Sequence, residues 1–210
     1  MRKWAQYGGI AAALVLIVFG IAAIIVGSNG RNTVNSSLKE QKIVGTPDMT
    51  PAGIKAEAQK AGLDVATITF PTCSVANQPV TEATRARCFA QYMKIHALEA
   101  TGGQLYSQMP RYATANGKGT NEVSEALVVG GKPVENAARN VWVQETALST
   151  ALNTSYMASQ IATFGVVVGI AMILSGIGFA VLVIGGALNA ADKREPTSAP
   201  AQSKSPAPAV

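Results

Sequence analysis

Hydrophobic positions along this chain fall into two regimes. Gly8–Gly27 (GGIAAALVLIVFGIAAIIVG) and Ile161–Ala191 (IATFGVVVGIAMILSGIGFAVLVIGGALNAA) are apolar and carry no charge. About 20 apolar residues in a helix cross the roughly 30 Å of a bilayer's hydrocarbon, so each run predicts a membrane helix. Between them, residues 28–160 mix polar and apolar positions at short range, as a water-facing domain does. The two regimes merge before the second run. Val134, Val141, Leu148 and Ser155 recur every seven residues beside Ala147, Ala151 and Leu152, a mostly apolar stripe at helical spacing. No proline lies between Val134 and Ala191, so nothing forces a helix to stop at the membrane surface. The pattern predicts one continuous helix from about Val134 through the second span. Arg139, Gln144, Glu145 and Asn153 would then lie in water or in the outer headgroups.

The middle segment predicts small elements. Ser28–Gln41 is polar, with a break expected at Asn29-Gly30 and a capping-box spacing at Ser37–Glu40. Lys42-Ile43-Val44 reads as a short strand or an extended exit, and Thr46-Pro47-Asp48 as a turn. Thr50 can cap a helix that has Pro51 at its first position and stops at Gly62. Leu63–Phe70 alternates and predicts a short strand. Thr81–Ala100 predicts a helix capped by Thr81 or Thr84 and ended by Gly102-Gly103. Met109–Gly131 is rich in Gly, Asn and Thr and reads as a long loop, with a short helix near Asn121–Leu127.

Charge sets the orientation. The net charge is +5, yet residues 28–160 hold twelve Lys/Arg against ten Asp/Glu. The excess sits at the ends, on Arg2 and Lys3, and on Lys193, Arg194 and Lys204 against Asp192 and Glu195. The positive-inside rule places both ends in the cytoplasm, with Trp4 and Tyr7 as headgroup-level belt residues. The first run is longer than a signal peptide's apolar core of about 7–15 residues, which favours a retained anchor over cleavage at Val26-Gly27-Ser28. Residues 1–7 and 192–210 are then cytoplasmic, the latter a Pro/Ala/Ser-rich disordered tail, and residues 28–160 are extracytoplasmic. Cys73 and Cys88 are the only cysteines. In that compartment they most simply form one disulfide.

Small residues mark both spans: Gly20, Ala23 and Gly27 in the first; Gly165, Gly169, Ala171, Ser175, Gly176 and Ala180 in the second. Small residues near four-residue spacing let helix backbones approach closely in lipid. They predict tight packing of the second span, on the first or on another integral membrane protein. Neither span holds an ionisable residue, and Asn189 is the only amide, which argues against an ion or proton pathway.

Candidate chemistry is sparse. Phe89, Tyr92, Met93 and His96 share one helix face, and His96 is the chain's only histidine. With Glu99 it has the parts of a metal or acid–base pair, but one imidazole and one acid make an incomplete site. A hydrogen-bonded packing role is the plainer reading. Gly117-Lys118-Gly119-Thr120 fails as a phosphate loop: Tyr112 stands where the first Gly belongs, and Gly119 where a Ser or Thr must follow the lysine. No basic stripe with interleaved aromatics is present, which leaves nucleic-acid binding without support. The residues call for no cofactor and no catalytic role.

The stretch from His96 to Tyr106 (HALEATGGQLY) resembles one in a group of small actinobacterial two-span membrane proteins of unassigned function. The MRKW start, the first span, SLKEQKIV at Ser37–Val44 and the closing span are similar too. The regions around Cys73, Cys88 and Gly117 depart from that group. Its members often carry a ring-opening dioxygenase-like label, but a non-haem iron site wants two histidines and a carboxylate. The resemblance implies a two-span envelope protein, with the shared stretch as a packing motif whose Gly-Gly stop aims Tyr106 back onto the domain. The expected fold is a mostly α membrane protein: two transmembrane helices in a hairpin, with a small disulfide-containing α(+β) extracytoplasmic domain between them. The expected role is a non-enzymatic accessory or assembly subunit of a larger membrane complex, a respiratory supercomplex being one host. The alternative is a stand-alone envelope module that binds a lipid, a cell-wall component or a partner protein.

Overall fold

A computed structural model describes residues 2–185. The end of the second span with Asn189, and the 192–210 tail, lie outside the described residues. Two long helices frame the chain: α1 (Arg2–Glu40) and α4 (Ala137–Ile184). Both are long and apolar enough to cross a membrane. Between them come α2 (Pro51–Lys60), α3 (Ala83–Ala100), and an antiparallel pair, β1 (Val128–Val129) and β2 (Lys132–Pro133). The chain divides into two compact units. One gathers the N-terminal stretch through Ile24 and the chain from Val167 on; the other is Ile25–Val166.

α1 and α4 pack as an antiparallel hairpin whose seam repeats every seven residues. Gly20 lies against Gly169 and Ile173, and Gly176 against Ala13 and Ile17. Within the other unit, Gly27 lies against Ala162 and Val166. Ala13, Gly20 and Gly27 on one helix thus oppose Gly176, Gly169 and Ala162 on the other. A β-carbon on Gly20 or Gly169 would come 2.6 Å from the other glycine's carbonyl oxygen, and one on Gly27 2.5 Å from that of Ala162. Only hydrogen fits there, so glycine sets the approach of the two backbones. Gly27 belongs to Val26-Gly27-Ser28, the stretch with cleavage-site character, and here it is inside a helix and buried.

The Ile25–Val166 unit has its own core. Ile54 and Ala58 of α2, Ala86, Tyr92 and Ile95 of α3, and Val75 and Val80 from the intervening loop are almost fully buried. Leu38 of α1 and Leu152 of α4 close the same cluster, with Val34 and Leu148 packed against it. The seven-residue stripe on α4 therefore serves two environments. Leu148 packs on this core and Val141 on a second cluster of Ala97, Met109 and Trp142, while Ala162, Gly169 and Gly176 continue the same register along the seam.

Several local expectations change. Asn29-Gly30 does not break α1, because Gly30 packs beside Ala162 and the tertiary contact overrides a weak local preference. Ser37 and Glu40 consequently sit inside a helix rather than at its start. Leu63–Phe70 is not a strand. Asp64 organises a turn instead, its side chain accepting from the Ala66 N–H and its carbonyl from the Thr67 hydroxyl. Leu63, Val65, Ile68 and Phe70 pack on the core without a ladder. α3 begins after Glu82, and neither Thr81 nor Thr84 caps it. The 109–131 loop contains a 3₁₀ turn at Val123–Glu125 and strand β1, which turns at Gly130-Gly131 to pair with β2 just beyond it. α4 starts at Ala137, three residues after Val134. Glu145 is buried and accepts from Ser149 at 2.6 Å, and Ala147 and Ala151 are exposed. Thr50 and Pro51 do cap α2, through a 3.0 Å bond from the Gly53 N–H.

Candidate functional site

Cys73 and Cys88 are joined by a disulfide. It ties the segment before α3 to the first turns of that helix. The Tyr92 hydroxyl, one turn further, donates to the Cys73 carbonyl at 2.5 Å. Burial raises the Tyr92 pKa above its ordinary value, with the Asp48 charge adding to the effect, so the phenol stays a donor.

The HALEATGG stretch has a clear structural job. Thr101 is the C-cap of α3, and Gly102 and Gly103 both take positive φ, +60° and +82°. The Gly103 N–H bonds the Leu98 carbonyl and the Gly102 N–H that of Glu99, a Schellman stop that favours glycine. The chain then turns so that the Gln104 carbonyl accepts from the Trp142 indole at 2.8 Å. Trp142 is buried beside Ala97 and Met109. Tyr106 remains nearly half exposed, with the Arg139 guanidinium 4.1 Å from its ring centre.

His96 does not stand alone. Its Nε2 lies 2.7 Å from Asp48 Oδ2, in the turn between α1 and α2. Glu57 of α2 joins them, and the ligating atoms of Asp48, Glu57 and His96 all lie within 4.8 Å of one another. Burial alone would raise the Asp48 pKa, but hydrogen bonds from Thr46 and His96 outweigh it and hold the carboxyl below its ordinary value. Glu99, one turn beyond His96, is shifted the opposite way. Burial raises its pKa; His96 opposes that, and Glu57 and Asp48 reinforce it. Glu99 Oε1 is buried without a hydrogen-bond partner. Helical spacing pairs His96 with Glu99, whereas Asp48 and Glu57 are brought to the helix only by folding. The turn at Thr46-Pro47-Asp48 was the available signal for where Asp48 sits.

A groove of about 480 Å³ opens on another side of α3, between Leu63, Ile68, Ile95 and Leu98, with Gln91 and Lys94 at polar positions. His96 is not part of its lining.

The small residues of the spans separate into two groups. Gly20, Gly27, Gly169 and Gly176 are buried along the seam; Ala23, Gly165 and Ala180 are partly covered. Ala171 and Ser175 are exposed, as is Gly178, whose missing β-carbon would meet nothing within 4 Å.

No family of known proteins, no characterised protein and no solved structure matches this chain.

Proposed function

We propose that this protein is a non-enzymatic accessory or assembly subunit of a larger membrane complex. It would hold a disulfide-pinned domain outside the cytoplasmic membrane, with both termini inside. The carrying observation is the division of small residues in the second span. The hairpin's own seam uses Gly20, Gly27, Gly169 and Gly176, leaving Ala171, Ser175 and Gly178 exposed on one face of α4. In lipid, a face of that kind admits another helix backbone. A second exposed apolar set supports the same reading. Val123, Leu127, Val128 and Val129 lie in the middle domain, apart from the apolar spans, and each is at least 40% exposed. Large exposed apolar patches on a water-facing domain mark interaction surfaces, and these four lie within seven residues of one another in the chain. The end charges supply the orientation. The resemblance to two-span actinobacterial proteins makes a respiratory supercomplex one host to test.

The 480 Å³ groove beside α3 favours a second reading, a stand-alone module that binds a small ligand, since ligand pockets commonly measure about 300–1,000 Å³.

The test is affinity purification of the tagged protein from native membranes in mild detergent, with mass spectrometry and a haem spectrum of the eluate. Recovery of other integral membrane subunits in stoichiometric amount supports the accessory role, and cytochrome absorption would identify a respiratory host. Recovery of the protein alone, or only with further copies of itself, overturns the role.

A further inference from the structure

We propose that Asp48, Glu57 and His96 form a binding site for one divalent transition-metal ion, Zn²⁺ by the chemistry of its donors. The three residues come from three elements: the turn after α1, the body of α2, and the fourth turn of α3. Their ligating atoms already converge to within 4.8 Å of one another. A tetrahedral Zn²⁺ about 2.1 Å from each donor would separate the donors by roughly 3.4 Å. The site therefore needs only side-chain adjustment. Glu57 is exposed and free to swing inward. The 2.7 Å contact between His96 and Asp48 has to open by about 0.7 Å to admit the ion on this geometry.

A separate observation bears on the same site. Glu99, on the same face of α3 as His96, has a buried Oε1 that no donor reaches. Orphaned buried carboxylate oxygens are costly and rare. His96, Glu57 and Asp48 lie close enough to act on it electrostatically. Among the described residues no Lys or Arg forms a salt bridge with Asp48, Glu57 or Glu99; the single ion pair there is His96 with Asp48. Asp48 and Glu57 thus converge on one imidazole, with no Lys or Arg in ion-pair contact among the described residues. A divalent ion supplies the charge this arrangement lacks. One imidazole among carboxylates selects a borderline metal over Mg²⁺ or Ca²⁺, which prefer all-oxygen sites. The cysteines are bonded to each other and do not compete for the ion. Bound metal would tie the α1–α2 turn, α2 and α3 together, fixing the domain core from its rim.

The experiment uses the full-length protein in detergent, purified through a tag without histidine and stripped with chelator. Isothermal titration with ZnCl₂ and metal analysis after dialysis give stoichiometry and affinity. The expected result is one Zn²⁺ per chain and a raised thermal midpoint. Glu57→Gln and His96→Gln should each weaken binding by about 10–100-fold or more, given that losing even an outer-shell partner has that effect. Glu57 is exposed, so E57Q tests the site even if H96Q disturbs the fold. Glu82→Gln, at the far end of α3 and paired with Arg85, should bind as wild type does. Absence of uptake overturns the proposal, as does uptake that survives E57Q and H96Q together. Equally tight Ca²⁺ binding overturns the choice of a transition metal.

Discussion

Two substitutions on one face-divided helix separate a seam set by glycine from a merely apolar contact. Gly169→Ala adds one methyl where the Gly20 carbonyl oxygen would stand 2.6 Å away, against an ordinary contact of 3.4–4 Å. The obstructing atom is backbone, so no rotamer change relieves it, and α1 and α4 must part locally by most of an ångström. A radial gap of about 0.5–1 Å forfeits a quarter to a half of each dispersion contact along the opened stretch. Overpacking of this kind costs about 1–3 kcal/mol. Gly178→Ala, nine residues on, makes the same chemical change with nothing within 4 Å. It should be neutral or slightly stabilising, because alanine favours helix over glycine by up to about 1 kcal/mol. Gly20→Ala should resemble Gly169→Ala, and the double variant should cost less than the sum, since one separation accommodates both methyls. The assay is equilibrium unfolding by SDS in mixed micelles, followed by energy transfer between fluorophores on the two helices. Equal midpoints for Gly169→Ala and Gly178→Ala would refute the seam.

Other predictions concern the middle domain. Replacing Cys73 and Cys88 together by alanine opens a cross-link spanning 15 residues, and should lower the domain's stability by about 3 kcal/mol on the chain-entropy estimate, read as a fall in its thermal midpoint. Trp142→Phe keeps a buried ring but removes the donor to the Gln104 carbonyl; chemical denaturation should show a loss of about 1–3 kcal/mol. Gly102→Ala meets no atom within 4 Å but keeps a φ of +60°, so the expected cost of about 1–2 kcal/mol is purely conformational. Gly102→Asn should recover part of it, because asparagine tolerates that region.

The parts of the fold legible in the sequence are those governed by one physical rule each. Absence of charge over a bilayer's length gave the spans, Thr50-Pro51 the start of α2, and Gly102-Gly103 the end of α3. An isolated cysteine pair gave the disulfide. Features that need two distant segments were harder to read. Alternation in Leu63–Phe70 mimics a strand, but among the described residues no strand pairs with it, and the Asp64 side chain offers the backbone a turn instead. Asn29-Gly30 looks like a break until Ala162 packs against it. The small residues were read at four-residue spacing, whereas the seam runs at seven, a register visible only when both helices are aligned. His96 and Asp48 are 48 positions apart, and no local pattern joins them to Glu57. The Val128–Pro133 hairpin was within reach, since Gly130-Gly131 is a hairpin-turn pair.

The account turns on whether the exposed small-residue face of α4 meets another protein. A photo-crosslinking amino acid placed at Ala171 or Ser175, both exposed, and irradiated in native membranes tests this directly. The account predicts a discrete adduct to a different integral membrane protein from both positions, lost when Gly178→Leu fills the face. Adducts to lipid alone, or to a second copy of this chain, would contradict it.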